Sequence, residues 1–153
     1  MSLEGKKAPG FSLEGSDGTR HTLEQYAGKT VVIYFYPKDN TPGCTKEACG
    51  FRDGYTELSG NGVVILGVSK DSVASHAKFI TSYGLPFVLL SDPDCSMMQA
   101  YEAFGEKVTC GKKTIGTIRS TVIIGPDGTV KKQWSKVAKA EQHPEQVLAY
   151  LQG

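Results

Sequence analysis

The chain has 153 residues, 39% hydrophobic and 22% charged, a balance that excludes a disordered tail and fits one globular domain over 1–153. Its 17 Lys and Arg are scattered among 16 Asp and Glu, a formal net charge of +1 that leaves no basic footprint for nucleic acid or an anionic membrane. No window approaches the ~20 apolar residues that span a bilayer, and the opening MSLEGKKAPGF has no signal-peptide core, so a soluble cytoplasmic protein is expected.

In chain order, residues 11–13 and 19–22 flank Gly15-Ser16-Asp17-Gly18, the signature of a hairpin. Residues 30–36, TVVIYFY, form a continuous β-branched and aromatic run ended by Pro37, which suits a strand covered on both faces. A helix is expected from about residue 43 to 58, then a second buried strand, VVILGVS, over 63–69. Val73, Ala77 and Ile80 at helical spacing predict a helix over 72–83, stopped by Gly84. Residues 87–90 read as a strand, and 96–104 as a short helix after the turn Asp92-Pro93-Asp94. Gly125-Pro126-Asp127-Gly128 separates two more strands, 121–124 and 129–134. The paired lysines Lys112-Lys113 and Lys131-Lys132 read as solvated strand ends or turns. A last helix is expected over 144–151, with Pro144 in its first turn, where a missing N–H costs nothing. This order of elements predicts an α/β fold of thioredoxin-like layout, with a central mixed β-sheet, helices on both faces and an N-terminal β-hairpin.

The stretch with the most chemistry is PKDNTPGCTKEAC, residues 37–49. It follows the buried strand and opens a helix, so Cys44 falls in the first helical turn. There the free backbone N–H groups and the positive end of the helix dipole favour an anion, and a thiolate is one. A small oxyanion beside the sulfur would share the same donors. Four cysteines are too few for a disulfide-built scaffold; in a reducing compartment they are catalytic, metal-binding or simply buried.

The spacing P-x-x-x-T-x-x-C, met by Pro37, Thr41 and Cys44, resembles the active-site signature of peroxiredoxins. The longer string resembles their Q-type branch, also called bacterioferritin-comigratory protein. The resemblance begins at Gly5-Lys6-Lys7-Ala8-Pro9 and includes Phe51-Arg52-Asp53, Ser91-Asp92-Pro93-Asp94, Arg119-Ser120-Thr121 and Gly125-Pro126-Asp127-Gly128. It implies a thiol-dependent peroxidase acting on hydrogen peroxide and organic hydroperoxides. Cys44 would attack the peroxide and become a sulfenic acid, and Cys49 would resolve it as an intramolecular disulfide. An external thiol, thioredoxin first and a glutaredoxin-type protein second, would restore the dithiol. The resemblance also places the Thr41 hydroxyl on the thiolate or peroxide, and Pro37 as a shield of a pocket shared with Pro42, Gly43 and Glu47. Arg119 would stabilise thiolate and transition-state oxygens with its planar, permanently charged guanidinium, oriented by Glu47. The branch implies a monomer, and the chemistry calls for no metal or organic cofactor.

On the residues alone, plainer readings stand beside these. Cys44 could be a small buried hydrophobe, Cys49 a bystander on a helix face, Thr41 a helix cap and Arg119 a surface residue at a strand start. Cys95 and Cys110 lie outside the motif and read as structural thiols. Tyr34, Phe35 and Tyr36 read as packing residues, the last two nearest the pocket, and His21, His76 and His143 as surface residues without metal-ligand spacing. Two other classes fit in part. A thioredoxin-type oxidoreductase needs C-x-x-C where this chain has Cys44-Thr45-Lys46-Glu47, and an iron–sulfur module would need a third cysteine where Arg52 stands.

Overall fold

The computed structural model describes residues 3–60, 62–109, 111–137 and 139–152. Its strands are β1 (Ser12–Gly15), β2 (Arg20–Thr22), β3 (Thr30–Phe35), β4 (Val63–Ser69), β5 (Val88–Ser91), β6 (Phe104–Thr109), β7 (Lys112–Thr117), β8 (Ser120–Ile124) and β9 (Val130–Trp134). Its helices are α1 (Pro42–Gly60), α2 (Val73–Tyr83), α3 (Ser96–Ala100) and α4 (His143–Gln152). Seven strands form one mixed sheet in the order β2-β1-β5-β4-β3-β8-β9, while β6 and β7 pair apart from it. The crossovers through α1 and α2 make β3, β4 and β5 parallel; the remaining pairings are antiparallel.

Successive side chains of a strand point to opposite faces, so a strand covered on both sides is apolar throughout. Val32 and Tyr34 of β3 enter one core with Cys44, Ala48 and Phe51 of α1, Phe79 of α2 and Val147 of α4. Val31, Ile33 and Phe35 enter the other, with Met97 and Met98 of α3. Helices therefore lie on both faces, as the element order predicts. The N-terminal segment straps the sheet edge: Gly5 N–H donates to the Val130 carbonyl at 2.8 Å, Val130 N–H to the Lys6 carbonyl at 2.9 Å and Ala8 N–H to the Gly128 carbonyl at 2.9 Å.

Several expectations need correction. The helix predicted over 96–104 stops at Ala100, because Glu102 takes a left-handed φ of 62° and Phe104 opens β6. The β6–β7 hairpin escaped the sequence reading; residues 112–115 are exposed, so the strand lacks an apolar face to announce it. Lys131 and Lys132 lie within β9, not at its end, with Lys132 Nζ 5.4 Å above the Trp134 ring. The buried stripe of α2 is His76 and Phe79, while Ala77 is exposed. The three histidines are buried, His76 and His143 completely, each with both ring nitrogens in hydrogen bonds. Their polar atoms are satisfied locally, which removes the cost of taking them out of water. Cys95 is buried, and Cys110 lies outside the described residues.

Candidate active site

Antiparallel pairing sets Phe35 of β3 opposite Ser120 of β8, so the start of β8 lies beside the end of β3. The chain leaves β3, turns through residues 36–41 and enters α1, while Arg119 sits immediately before β8. That register brings Arg119 to the first turn of α1 across 75 positions of sequence. Its backbone is fixed there by the Val137 N–H, which donates to the Arg119 carbonyl at 2.8 Å.

The first helical bond of this turn runs from Thr45 N–H to the Thr41 carbonyl at 2.8 Å. Pro42 has no N–H, and those of Gly43 and Cys44 belong to the donors that a helix start leaves without an intrahelical acceptor. Cys44 is 1% exposed. Cys44 and Glu47 share a helix face at i, i+3, and one guanidinium spans both. Arg119 Nη2 donates to Cys44 Sγ at 3.1 Å, and Nη1 to Glu47 Oε1 at 2.7 Å. Gly43 lies against this arrangement, since a Cβ there would sit 3.4 Å from Arg119 Nη2, in van der Waals contact.

Glu47 is fully buried and its Oε2 has no hydrogen-bond partner among the described residues. Burial pushes its carboxyl up to about 7, against the opposing pull of Arg119. Burial also works against the Arg119 charge, but Glu47 and Cys44 outweigh it and hold the guanidinium protonated above the ordinary arginine value. One fixed cation thus faces two groups that can each become anions. The raised Glu47 value has a measurable consequence. Between its ordinary value of 4.5 and about 7 the folded chain holds a proton that the unfolded chain has released, so stability falls as pH rises through this window. Glu47→Gln, which cannot ionise, is expected to flatten that fall in urea titrations at pH 5 and pH 7; an unchanged pH slope would contradict the assignment.

Thr41 is half-buried, and its hydroxyl donates to the Lys38 carbonyl at 2.9 Å instead of reaching the sulfur. This back-bond over three residues closes the loop that precedes α1. Pro37 and Gly43 are half-buried and Pro42 is exposed. Cys49 lies further along the same helix, half-buried, and both thiols are free. Tyr34, not Phe35, shares the Cys44 face. The Tyr34 hydroxyl is buried without a partner among the described residues, and burial, then Glu47 and Cys44, raise it well above the ordinary tyrosine value. His143, missed in the sequence, bonds Thr121 Oγ1 at 2.8 Å and meets Phe51 and Trp134 edge-on; burial lowers it from the ordinary histidine value. Arg52 donates to the Tyr83 carbonyl at 2.7 Å, a structural bond between α1 and α2.

Residues 4–133 match the AhpC/TSA family. Peroxiredoxin Bcp of Bacillus subtilis is 43% identical over 152 residues, which cover 99% of this chain and 96% of the relative. The chain belongs to the peroxiredoxin family. The solved structure of Xanthomonas campestris peroxiredoxin Q superposes with a TM-score of 0.86 at 44% identity, covering 93% of this peroxiredoxin and 89% of that chain. A structure of the bacterioferritin comigratory protein of the same organism does so with a TM-score of 0.86 at 44% identity, over 93% and 90% of the two chains. The thioredoxin-like layout expected from the element order holds. This peroxiredoxin is a thiol peroxidase, an oxidoreductase that consumes a hydroperoxide and is restored by a thiol reductant. Among the described residues, no helix is long and apolar enough to cross a membrane.

Proposed function

We propose that Cys44 is the thiol that attacks hydrogen peroxide and organic hydroperoxides, and that Cys49 resolves the product. The observation that carries this reading is the Arg119 guanidinium held on the buried Cys44 sulfur at 3.1 Å and on Glu47 at 2.7 Å. The thiolate attacks one peroxide oxygen, the O–O bond breaks, and the leaving oxygen departs with a proton as water or an alcohol, leaving a sulfenic acid on Cys44. Arg119 and the N–H groups at the start of α1 stabilise the charge on sulfur and on the departing oxygen. Rotation about χ1 carries the Thr41 hydroxyl from Lys38 to the bound peroxide, and Pro37, Pro42 and Gly43 border the approach. Alkyl peroxides belong in the substrate class because alkyl peroxide reduction is the activity described for the Xanthomonas campestris bacterioferritin comigratory protein.

The Cys49 thiol then attacks the Cys44 sulfenic sulfur and expels water, and thioredoxin or a glutaredoxin-type protein reduces the disulfide. The chain works as a monomer in the cytoplasm, where such reductants are supplied. This step requires motion. Both cysteines lie in α1, where five residues separate them by ~7.5 Å along the axis and ~140° around it, roughly 8.7 Å between Cα atoms. A disulfide needs about 7 Å or less with converging Cβ vectors, so the first turns must unwind in every cycle. After one equivalent of peroxide, mass spectrometry should find one intramolecular disulfide, Cys44–Cys49, with faster amide exchange over residues 44–49 than in the dithiol form. A bond from Cys44 to Cys95 or Cys110 would overturn the choice of resolving thiol.

A further inference from the structure

The loop that enters α1 is pinned by a buried polar cluster that the chemistry above does not use. Asp39 is 7% exposed, and its carboxylate accepts from Tyr36 Oη at 2.6 Å and Ser75 Oγ at 2.9 Å and faces His76 Nδ1 at 2.7 Å. The other ring nitrogen of His76 lies 3.0 Å from the Leu90 carbonyl, so the ring is held at both nitrogens. Asp39 N–H donates to Asp71 Oδ2 at 2.7 Å, which also accepts from Ser69 Oγ at 2.7 Å. One residue thus ties the loop to Tyr36 just after β3, to the β4–α2 junction and to α2. The next residue, Asn40, takes a left-handed φ of 60°, and its Oδ1 accepts from the Tyr83 hydroxyl at 3.0 Å.

A second fixed point follows Cys49. A Cβ on Gly50 would come within 2.7 Å of Pro144 Cγ, so the α1 backbone packs directly on the Pro144 ring of α4, and Phe51 beside it is buried against the His143 ring. Between Asp39 and Gly50 the segment is held by the burial of Cys44, Glu47 and Ala48, by Arg119 on Cys44 and Glu47, and by the exposed pair Lys46–Glu141 at 3.3 Å. The unwinding segment is therefore residues 40–49, and Cys49, next to the second fixed point, stays while Cys44 travels.

We propose that Asp39 is the positioning residue that fixes the N-terminal end of this segment and sets how the Cys44 sulfenic acid partitions between disulfide and further oxidation. The inference rests on the Cys44–Cys49 pairing proposed above. In the wound state the sulfenate meets a second hydroperoxide, which oxidises it to the sulfinate and leaves as water or an alcohol; in the unwound state Cys49 reaches it first. Releasing Asp39 lengthens the chain that gains freedom on unwinding and so favours the unwound state.

The test oxidises the full chain with graded hydrogen peroxide and counts disulfide and sulfinate by mass spectrometry, with the two steps timed by rapid mixing. Asp39→Asn should form the disulfide at least about threefold faster and lower the sulfinate fraction at high peroxide by a similar factor. Ser75→Ala, a milder loss at the same carboxylate, should shift the partition in the same direction by a smaller factor. Ile124→Ala, a core change on the opposite face of the sheet and at the far end of β3, should lower Tm and leave the partition unmoved. An unchanged partition in both folded loop variants, a slower disulfide step, or an equal shift in Ile124→Ala would overturn the proposal. Failure of the pairing itself is seen separately, as absence of the Cys44–Cys49 disulfide in the unsubstituted chain.

Discussion

Cys44→Ser is expected to abolish hydroperoxide turnover with any thiol reductant, to below about a hundredth of the unsubstituted rate. A serine hydroxyl placed on the same guanidinium does not ionise near neutral pH and is a weak nucleophile without an adjacent base. The group that bonds this position, the Arg119 guanidinium, is a cation that donates and cannot take up the hydroxyl proton. Cys49→Ser should still react once with peroxide and stop at the sulfenate or a higher oxide. Cys95→Ser should keep turnover within about threefold. The Cys95 thiol is buried, its backbone is left-handed at a φ of 61°, and burial and then Asp92 raise it above the ordinary cysteine value, the opposite of a reactive setting. Steady-state consumption of peroxide with each variant is the measurement, and half of the original rate in Cys44→Ser would refute the central assignment.

Arg119→Lys should lower the second-order rate constant for single-turnover oxidation by at least about tenfold. The guanidinium makes two bonds at once, to Cys44 and to Glu47, from nitrogens held in one plane. An ammonium is a point charge on a flexible stem and cannot reproduce both distances from the same backbone position. Serving the sulfur would leave Glu47, already with one unsatisfied oxygen, without its remaining partner in a buried site. Serving Glu47 would leave the sulfur to the helix N–H groups alone. A rate constant equal to that of the unsubstituted chain would remove Arg119 from the reaction.

What could be read in advance follows from how local each signal is. TVVIYFY and VVILGVS announce β3 and β4 because double-sided burial writes itself as an unbroken apolar run. The hairpin turns were legible from glycine with Asp or Pro at fixed offsets, and the α2 stop from Gly84, which takes the left-handed φ of 61°. The β6–β7 hairpin was not, since its residues 112–115 face solvent and carry no alternation. Cys44 was readable as a reactive candidate from its place at a helix start, but Arg119 joins it only through the register of β3 on β8, which no local pattern encodes. The histidines failed for the same reason. His76 is three residues before Phe79 on the buried stripe, and its partner Asp39 lies 37 positions away.

The strap of residues 5–8 along β9 bears on how the molecule behaves in a crowd. A terminal strand of a sheet offers a row of open N–H and C=O groups to any other extended chain, and such rows seed aggregation. β2 limits this hazard at one margin by being only three residues long. At the other margin, both the N–H and the C=O of Val130 are taken by the strap, and Gln133 N–H is taken by the Glu4 carboxylate at 2.9 Å. The first residues of the chain therefore act as a built-in guard against self-templating, and a protein trimmed of them would carry its active site intact beside an adhesive border.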